Sequence, residues 1–248
     1  MILIKSPAEI ETMREAGRIT AGALRVVGEA VQVGISTKEL DAIAEEYIRG
    51  EGARPAFLGY HGFTGTLCTS FNEQVVHGIP GKRTLVEGDI LSVDCGAIVD
   101  GYYGDAAMTF AVGAVSPQAR KLMDATRDSL IAGIAQCRPD MRLHDIGHAV
   151  QQVAEAAGFS VVREYVGHGI GRAMHEEPQV PNFGQAGTGP QLKPGMVFAV
   201  EPMINAGGYD VRSLDDGWTV VTADASLSAH FEHTIAVTAD GPLVLTVE

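Results

Sequence analysis

Two stretches of this chain, 107 residues apart, read alike. Leu85 to Asp94 and Leu192 to Glu201 each run Leu, two variable residues, Gly, an apolar-rich strand, Val and then an acid. The same offset carries His61-Gly62 onto His168-Gly169. A duplicated unit has to fold twice from one pattern, which restricts the architecture more than composition can. It predicts two similar α-plus-β halves around a pseudo-twofold axis, with Asp94 and Glu201 facing one another near that axis.

Local signals supply the elements of each half. Ser6-Pro7-Ala8-Glu9 is a capping box with proline at the first helical position. Ile10, Met13, Gly17, Ala21, Leu24 and Val27 then recur at helical spacing until Gly34. Ser36 and Glu39 repeat the box and open a helix that ends near Gly50. Residues 53–112 read as short β-prone runs divided by Gly, Pro and Asn. Ser116-Pro117 opens a helix to about Cys137, and another runs from about Leu143 to Ala157, closed by Gly158. Strands and loops follow to the end. The 248 residues fit one large domain or two small ones, with pseudo-halves of roughly 1–113 and 114–248.

With 46% apolar and 20% charged residues, the chain has ordinary globular composition, which excludes disorder or coiled coil as a global description. Its 18 basic and 31 acidic residues sum to −13, which disfavours phosphate backbones and favours cations. No direct nucleic-acid site is therefore expected. Cys68, Cys95 and Cys137 stand apart with no C-x-x-C, against a thiolate zinc site or a disulfide framework. No apolar run approaches a membrane span, and the start lacks a signal-peptide core. The expectation is a soluble cytoplasmic protein. Gly184, Gly187 and Gly189 are not followed by G-K-[ST], so a phosphate loop is unsupported.

The acids carry the chemistry. Asp100-Gly101 between apolar runs signals a two-residue hairpin. Val99 then faces Tyr102, Asp94 faces Ala107, and Gly96 faces Asp105. Asp94 and Asp105 fall on one face as diagonal neighbours, within roughly 7–8 Å at the backbone. Two carboxylates so placed repel unless a proton or cation lies between them. The second half offers Glu201 at its strand end, Glu232 in a later strand, and His168 between glycines that let the backbone approach a ligand. Singly, each has a bland reading as a turn or rim residue. Together, four carboxylates and one imidazole suit one or two divalent ions of the manganese, iron, cobalt or zinc kind. A pair of ions ~3.5–4 Å apart is a hydrolytic arrangement; aminopeptidases are among the handful of enzyme groups known for it.

Val76-His77-Gly78-Ile79-Pro80, Asp94 through Gly104-Asp105, Gly167-His168-Gly169-Ile170-Gly171 with His175-Glu176-Glu177-Pro178, Glu201-Pro202-Met203 and Glu232-His233-Thr234 resemble the type I methionine aminopeptidases. The resemblance spans nearly the whole chain. Only 25 residues lie between His175 and Glu201, so the long type II insertion is missing, as in the compact bacterial form. It implies the pita-bread fold, with two metal ions at its centre. Asp94, Asp105 and Glu232 would hold one ion, and Asp105, His168, Glu201 and Glu232 the other. A metal-bridging water or hydroxide would attack the first peptide bond, with Glu201 handling the proton. His175 would hydrogen-bond the substrate carbonyl, and His77 would contact the peptide. Tyr60, Cys68 and Trp218 would line the methionine pocket, with Phe63 nearby.

The implied task is removal of initiator methionine from nascent proteins and peptides, with a small second residue preferred. It is compatible with docking to the ribosome; a monomer is the default expectation. The ions would be cobalt, manganese, iron or zinc. Phe57, Met174 and His230 depart from the commoner cysteine, aromatic and glutamine of the family, which bears on pocket shape. His61, His144, His148, His230 and His233 are expected to be structural or exposed. Two rivals remain: an X-Pro peptidase of the same fold, and a peptide-binding module that has lost the chemistry. X-Pro enzymes usually carry a separate N-terminal domain, and a binding module would lack some of the donors.

Overall fold

The computed structural model describes residues 1–248. Four helices form near the predicted positions: α1 Pro7–Ala30, α2 Thr37–Gly50, α3 Pro117–Ile134 and α4 Leu143–Ala156. Both capping boxes close, with the Ser6 and Ser36 backbone N–H groups donating to Glu9 and Glu39. Helix α1 stops at Ala30, short of Gly34. Gly34 instead takes a left-handed φ of 94° and donates to the Leu85 carbonyl, so it shapes the following loop. Helix α3 likewise ends three residues before Cys137, which is buried beyond it. No helix is long and apolar enough to cross a membrane.

The hairpin Ile90–Val99 with Tyr102–Ala111 has the expected register, with Asp94 opposite Ala107 and Gly96 opposite Asp105. Asp100 and Gly101 both take positive φ, 48° and 80°, the turn geometry that matches strand twist. Leu67–Phe71 and the short Arg54–Pro55 flank Ile90–Val99 on this sheet. Helices α1 and α2 cover it, burying Ile19, Leu24, Val27, Leu40 and Ile48 against Leu67, Leu91 and Val93. In the second half, a five-stranded sheet runs in the order Gly241–Val244, His233–Thr238, Val197–Val200, Gly167–Gly169, Glu176–Val180. Leu122, Leu130 and Ile146 of α3 and α4 share a core with Phe198, Val200 and Ile235 of this sheet. The two α-plus-β halves are thus separate cores of similar plan.

The halves meet along an antiparallel seam. Ala107 and Glu232 exchange both backbone hydrogen bonds, at 3.3 and 2.9 Å. On either side a threonine hydroxyl stands in for a strand partner. Thr234 Oγ1 accepts from Asp105 N and donates to Asp105 O; Thr109 Oγ1 does the same for His230 N and O. The period of two along each strand puts Asp105, Glu232 and His230 at successive rungs. A third apolar cluster spans the seam, joining Phe57, Phe63 and Cys68 to Met174, Val197 and Ile170.

The N-terminus is fastened to the second half. Lys5 Nζ donates to Glu176 Oε2 at 2.6 Å, with both side chains under one-tenth exposed. The other Glu176 oxygen accepts from the backbone N–H groups of Arg172 and Ala173 at 2.8 and 3.3 Å. Glu176 therefore orders the loop that carries His175. Replacing one member of a buried pair strands the other, at roughly 3 kcal/mol. Lys5→Met is expected to lower the unfolding free energy by about that much in a urea titration. A change below about 0.5 kcal/mol would mean that the pair does not hold the loop.

Candidate metal centre and its cavity

Five predicted side chains converge from five stretches of chain. Asp94 and Asp105 project from one face of the hairpin, as diagonal neighbours across its two strands. Glu201 follows directly on the strand Val197–Val200, and Glu232 sits on the seam. His168 Nε2 lies 3.4 Å from Glu201 Oε1 and 3.8 Å from Asp105 Oδ2. The donor atoms of Asp105, His168 and Glu232 lie within 4.8 Å of one another. Asp94 Oδ1, Asp105 Oδ1 and Glu232 Oε1 are buried with no hydrogen-bond partner. Orphaned anionic oxygens at this spacing fit a divalent cation among them, and the oxygen-rich set matches the manganese-to-zinc series.

His168 is oriented for ligation. Its Nδ1 donates to the Gly169 carbonyl at 2.9 Å, which leaves the Nε2 lone pair facing the carboxylates. The flanking glycines serve a purpose different from the expected one. A Cβ on Gly167 would collide with the Ala199 carbonyl oxygen, and one on Gly169 with that of Glu177. They admit the neighbouring strands rather than a ligand.

Above the carboxylates is a cavity of about 170 Å³. Phe57, Tyr60, Phe63, Cys68, Met174 and Trp218 form apolar walls, while His77, Tyr165 and His175 stand among the lining residues. Phe63 packs edge-on against Trp218, 5.0 Å between ring centres. An Asp216 side chain that accepts from Trp218 N and Thr219 N fixes the loop bearing Trp218. Tyr60 Oη lies 2.8 Å from His175 Nδ1, and the His175 ring packs at a tilt against that of His168, 4.3 Å between centres. His77 has a left-handed φ of 61°, held in place because Gly78 O accepts from Thr69 N at 2.7 Å. Every predicted site residue thus falls in one constellation.

Of the five histidines expected to be structural or exposed, His230 is buried at the edge of the cluster: its Nε2 is unpartnered, 3.8 Å from Glu232 Oε2 and 4.0 Å from Glu201 Oε2. Its spacing of two from Glu232, which puts both on one face of an extended segment, was the available signal. His61, the repeat counterpart of His168, instead packs its ring on Tyr60, 4.4 Å away and outside the cluster. Phe57 and Met174 do reach the cavity wall, and Val76, Tyr165, Val166 and Met203 join them unanticipated.

Residues 11–239 match the sequence model of metallopeptidase family M24. A methionine aminopeptidase of Clostridium perfringens is 53% identical over 247 residues, covering 100% of this chain and 99% of that protein. The crystal structure of methionine aminopeptidase from Rickettsia prowazekii superposes with a TM-score of 0.98 at 46% identity, covering 100% of both chains. Prolidase from Pyrococcus furiosus shares the fold at a TM-score of 0.77 and 21% identity; the match covers 99% of this chain and 65% of that one. The architecture is the pita-bread arrangement.

Burial sets the charge state of the metal-free cluster. Desolvation pushes the Asp105 carboxyl up to about 7, and lifts Asp94, Glu201 and Glu232 well above the ordinary carboxylate range, with mutual repulsion adding to it. The folded state therefore holds protons that the unfolded chain has released, and without metal its stability falls as pH rises toward those raised values. Burial acts oppositely on His77, His168 and His230, lowered to about 4, 4 and 3, so that they add stability as pH rises to about 6.5. Above about 6.5 the carboxyls act alone. In chelator, the urea midpoint is expected to drop between about pH 6.5 and 8, and saturating manganese should remove the drop. A chelated midpoint that stays level or rises would contradict the repulsion.

Proposed function

This chain belongs to metallopeptidase family M24, and we propose that it is a methionine aminopeptidase that removes the first methionine from nascent proteins and peptides. One observation carries the reading: a cavity just large enough for a side chain is apolar along its walls and carboxylate-lined at its base. A first side chain seated in that space brings the first peptide bond beside the carboxylates, as an exopeptidase needs. Asp94, Asp105 and Glu232 would hold one divalent ion, and Asp105, His168, Glu201 and Glu232 a second. Cobalt, manganese, iron and zinc all suit this donor set. Such ions supply a water of lowered pKa and polarise the carbonyl.

The chain's own groups do the rest. Tyr60, Phe63, Cys68 and Trp218, with Phe57 and Met174, enclose the unbranched thioether in apolar surface. Burial keeps His77 and His175 neutral at neutral pH. A Tyr60 hydroxyl that donates to His175 Nδ1 leaves the imidazole proton on Nε2, ready to donate to the carbonyl oxygen as negative charge develops there. His77, held by its unusual backbone, contacts the peptide. Glu201, at its strand end beside His168, would take the proton from the attacking water and pass it toward the leaving amine.

In this reading residues 1–248 act as one catalytic unit, with halves 1–113 and 114–248 closing on the substrate's first residue. The chain works as a monomer in the cytoplasm on chains emerging from the ribosome, and a small second residue is preferred. The three cysteines are free and buried, as a reducing compartment permits. The X-Pro reading rests on fold alone, and a binding module would not retain all five donors in contact.

Incubation of the manganese- or cobalt-loaded protein with Met-Ala-Ser and with Ala-Pro peptides tests the assignment. Free methionine released from the first, with the second left intact, is the expected result. Cleavage of Ala-Pro alone would transfer the protein to the X-Pro peptidases.

A further inference from the structure

His230 has no assigned task, yet its surroundings are those of a ligand. The residue is 1% exposed. Its backbone is clamped on both sides by Thr109 Oγ1, which accepts from His230 N at 2.9 Å and donates to His230 O at 2.8 Å. The ring nitrogen Nε2 has no hydrogen-bond partner. Its polar neighbours are Glu232 Oε2 at 3.8 Å and Glu201 Oε2 at 4.0 Å, both too far for a hydrogen bond. The donors of Glu201, His230 and Glu232 nonetheless lie within 4.8 Å of one another. Donors that sit ~2.0–2.2 Å from a common ion are separated by roughly 3–4 Å, depending on the angle between them. His168 Nε2 approaches the other oxygen of Glu201 at 3.4 Å, so the carboxylate lies between the two imidazoles.

We propose that His230 supplies, through Nε2, a second imidazole ligand to the ion shared by Glu201 and Glu232. The inference rests on the metal centre proposed above and adds to it a sixth protein donor. The cation would lie between atoms that cannot reach one another, satisfying a buried nitrogen and two buried carboxylates together. A second neutral nitrogen shifts the centre's preference toward cobalt and zinc and away from manganese, which favours oxygen donors.

Proton NMR of the full-length, cobalt-loaded protein tests this, because only an imidazole bonded to the ion carries a large contact shift on its remaining ring N–H. Two strongly shifted, solvent-exchangeable ring N–H signals are expected, one from His168 and one from His230. His230→Gln should remove one of them and weaken cobalt binding at least about tenfold in a chelator competition. A single shifted signal that persists in His230→Gln overturns the proposal and leaves the His168 centre standing. Two signals that both persist in the variant also overturn it. If the loaded protein shows no shifted signal, the metal centre itself fails and the proposal with it. The signal count in the unsubstituted protein does not depend on how well the variant folds.

Discussion

Four carboxylates packed this closely at the base of one cavity cannot all be ionised in the absence of a compensating charge. Asp94, Asp105, Glu201 and Glu232 are brought to this point by backbone hydrogen bonds and apolar packing that do not depend on the acids themselves. The fold thus holds a repulsion in place, and a cation resolves it. The raised carboxyl pKa values and the orphaned oxygens follow from that arrangement, while burial itself keeps the imidazoles neutral.

The seam between the halves is what makes the arrangement rigid. A direct ladder of backbone bonds would continue the sheet of one half into the other. Here Thr109 and Thr234 hydroxyls replace every other rung, so that Asp105, Glu232 and His230 are fixed through both their N–H and C=O groups. The apolar cluster spanning the seam supplies the walls of the cavity, and Lys5 ties the loop of His175 to the chain's first residues. Substrate pocket, proton-handling groups and metal donors therefore share one framework, and strain at the seam would be felt by all three.

Features decided by neighbours in sequence were legible there. The hairpin register followed from Asp100-Gly101, because that dipeptide accepts the two positive φ angles a two-residue turn requires. Both capping boxes formed as read, and the repeat located the two strand-end acids. Resemblance to a family then assigned roles that spacing alone left open. Features decided across long separations were not legible. The clamp on His230 comes from Thr109, 121 residues away, and the partner of Lys5 is 171 residues away. The glycines around His168 invited a ligand-based reading, but their reason is the Ala199 and Glu177 carbonyls of adjacent segments. His61 matched His168 in the repeat and still lies outside the cluster, since duplication preserves the backbone plan better than the chemistry hung on it.

The central claim is that these side chains form one cation site. Crystals soaked in manganese or cobalt, with diffraction recorded at the metal's absorption edge, test it directly. Anomalous peaks within about 2.0–2.3 Å of Asp105, Glu232 and His168 Nε2 are the predicted result. An anomalous map that is empty between these residues at saturating metal would contradict it.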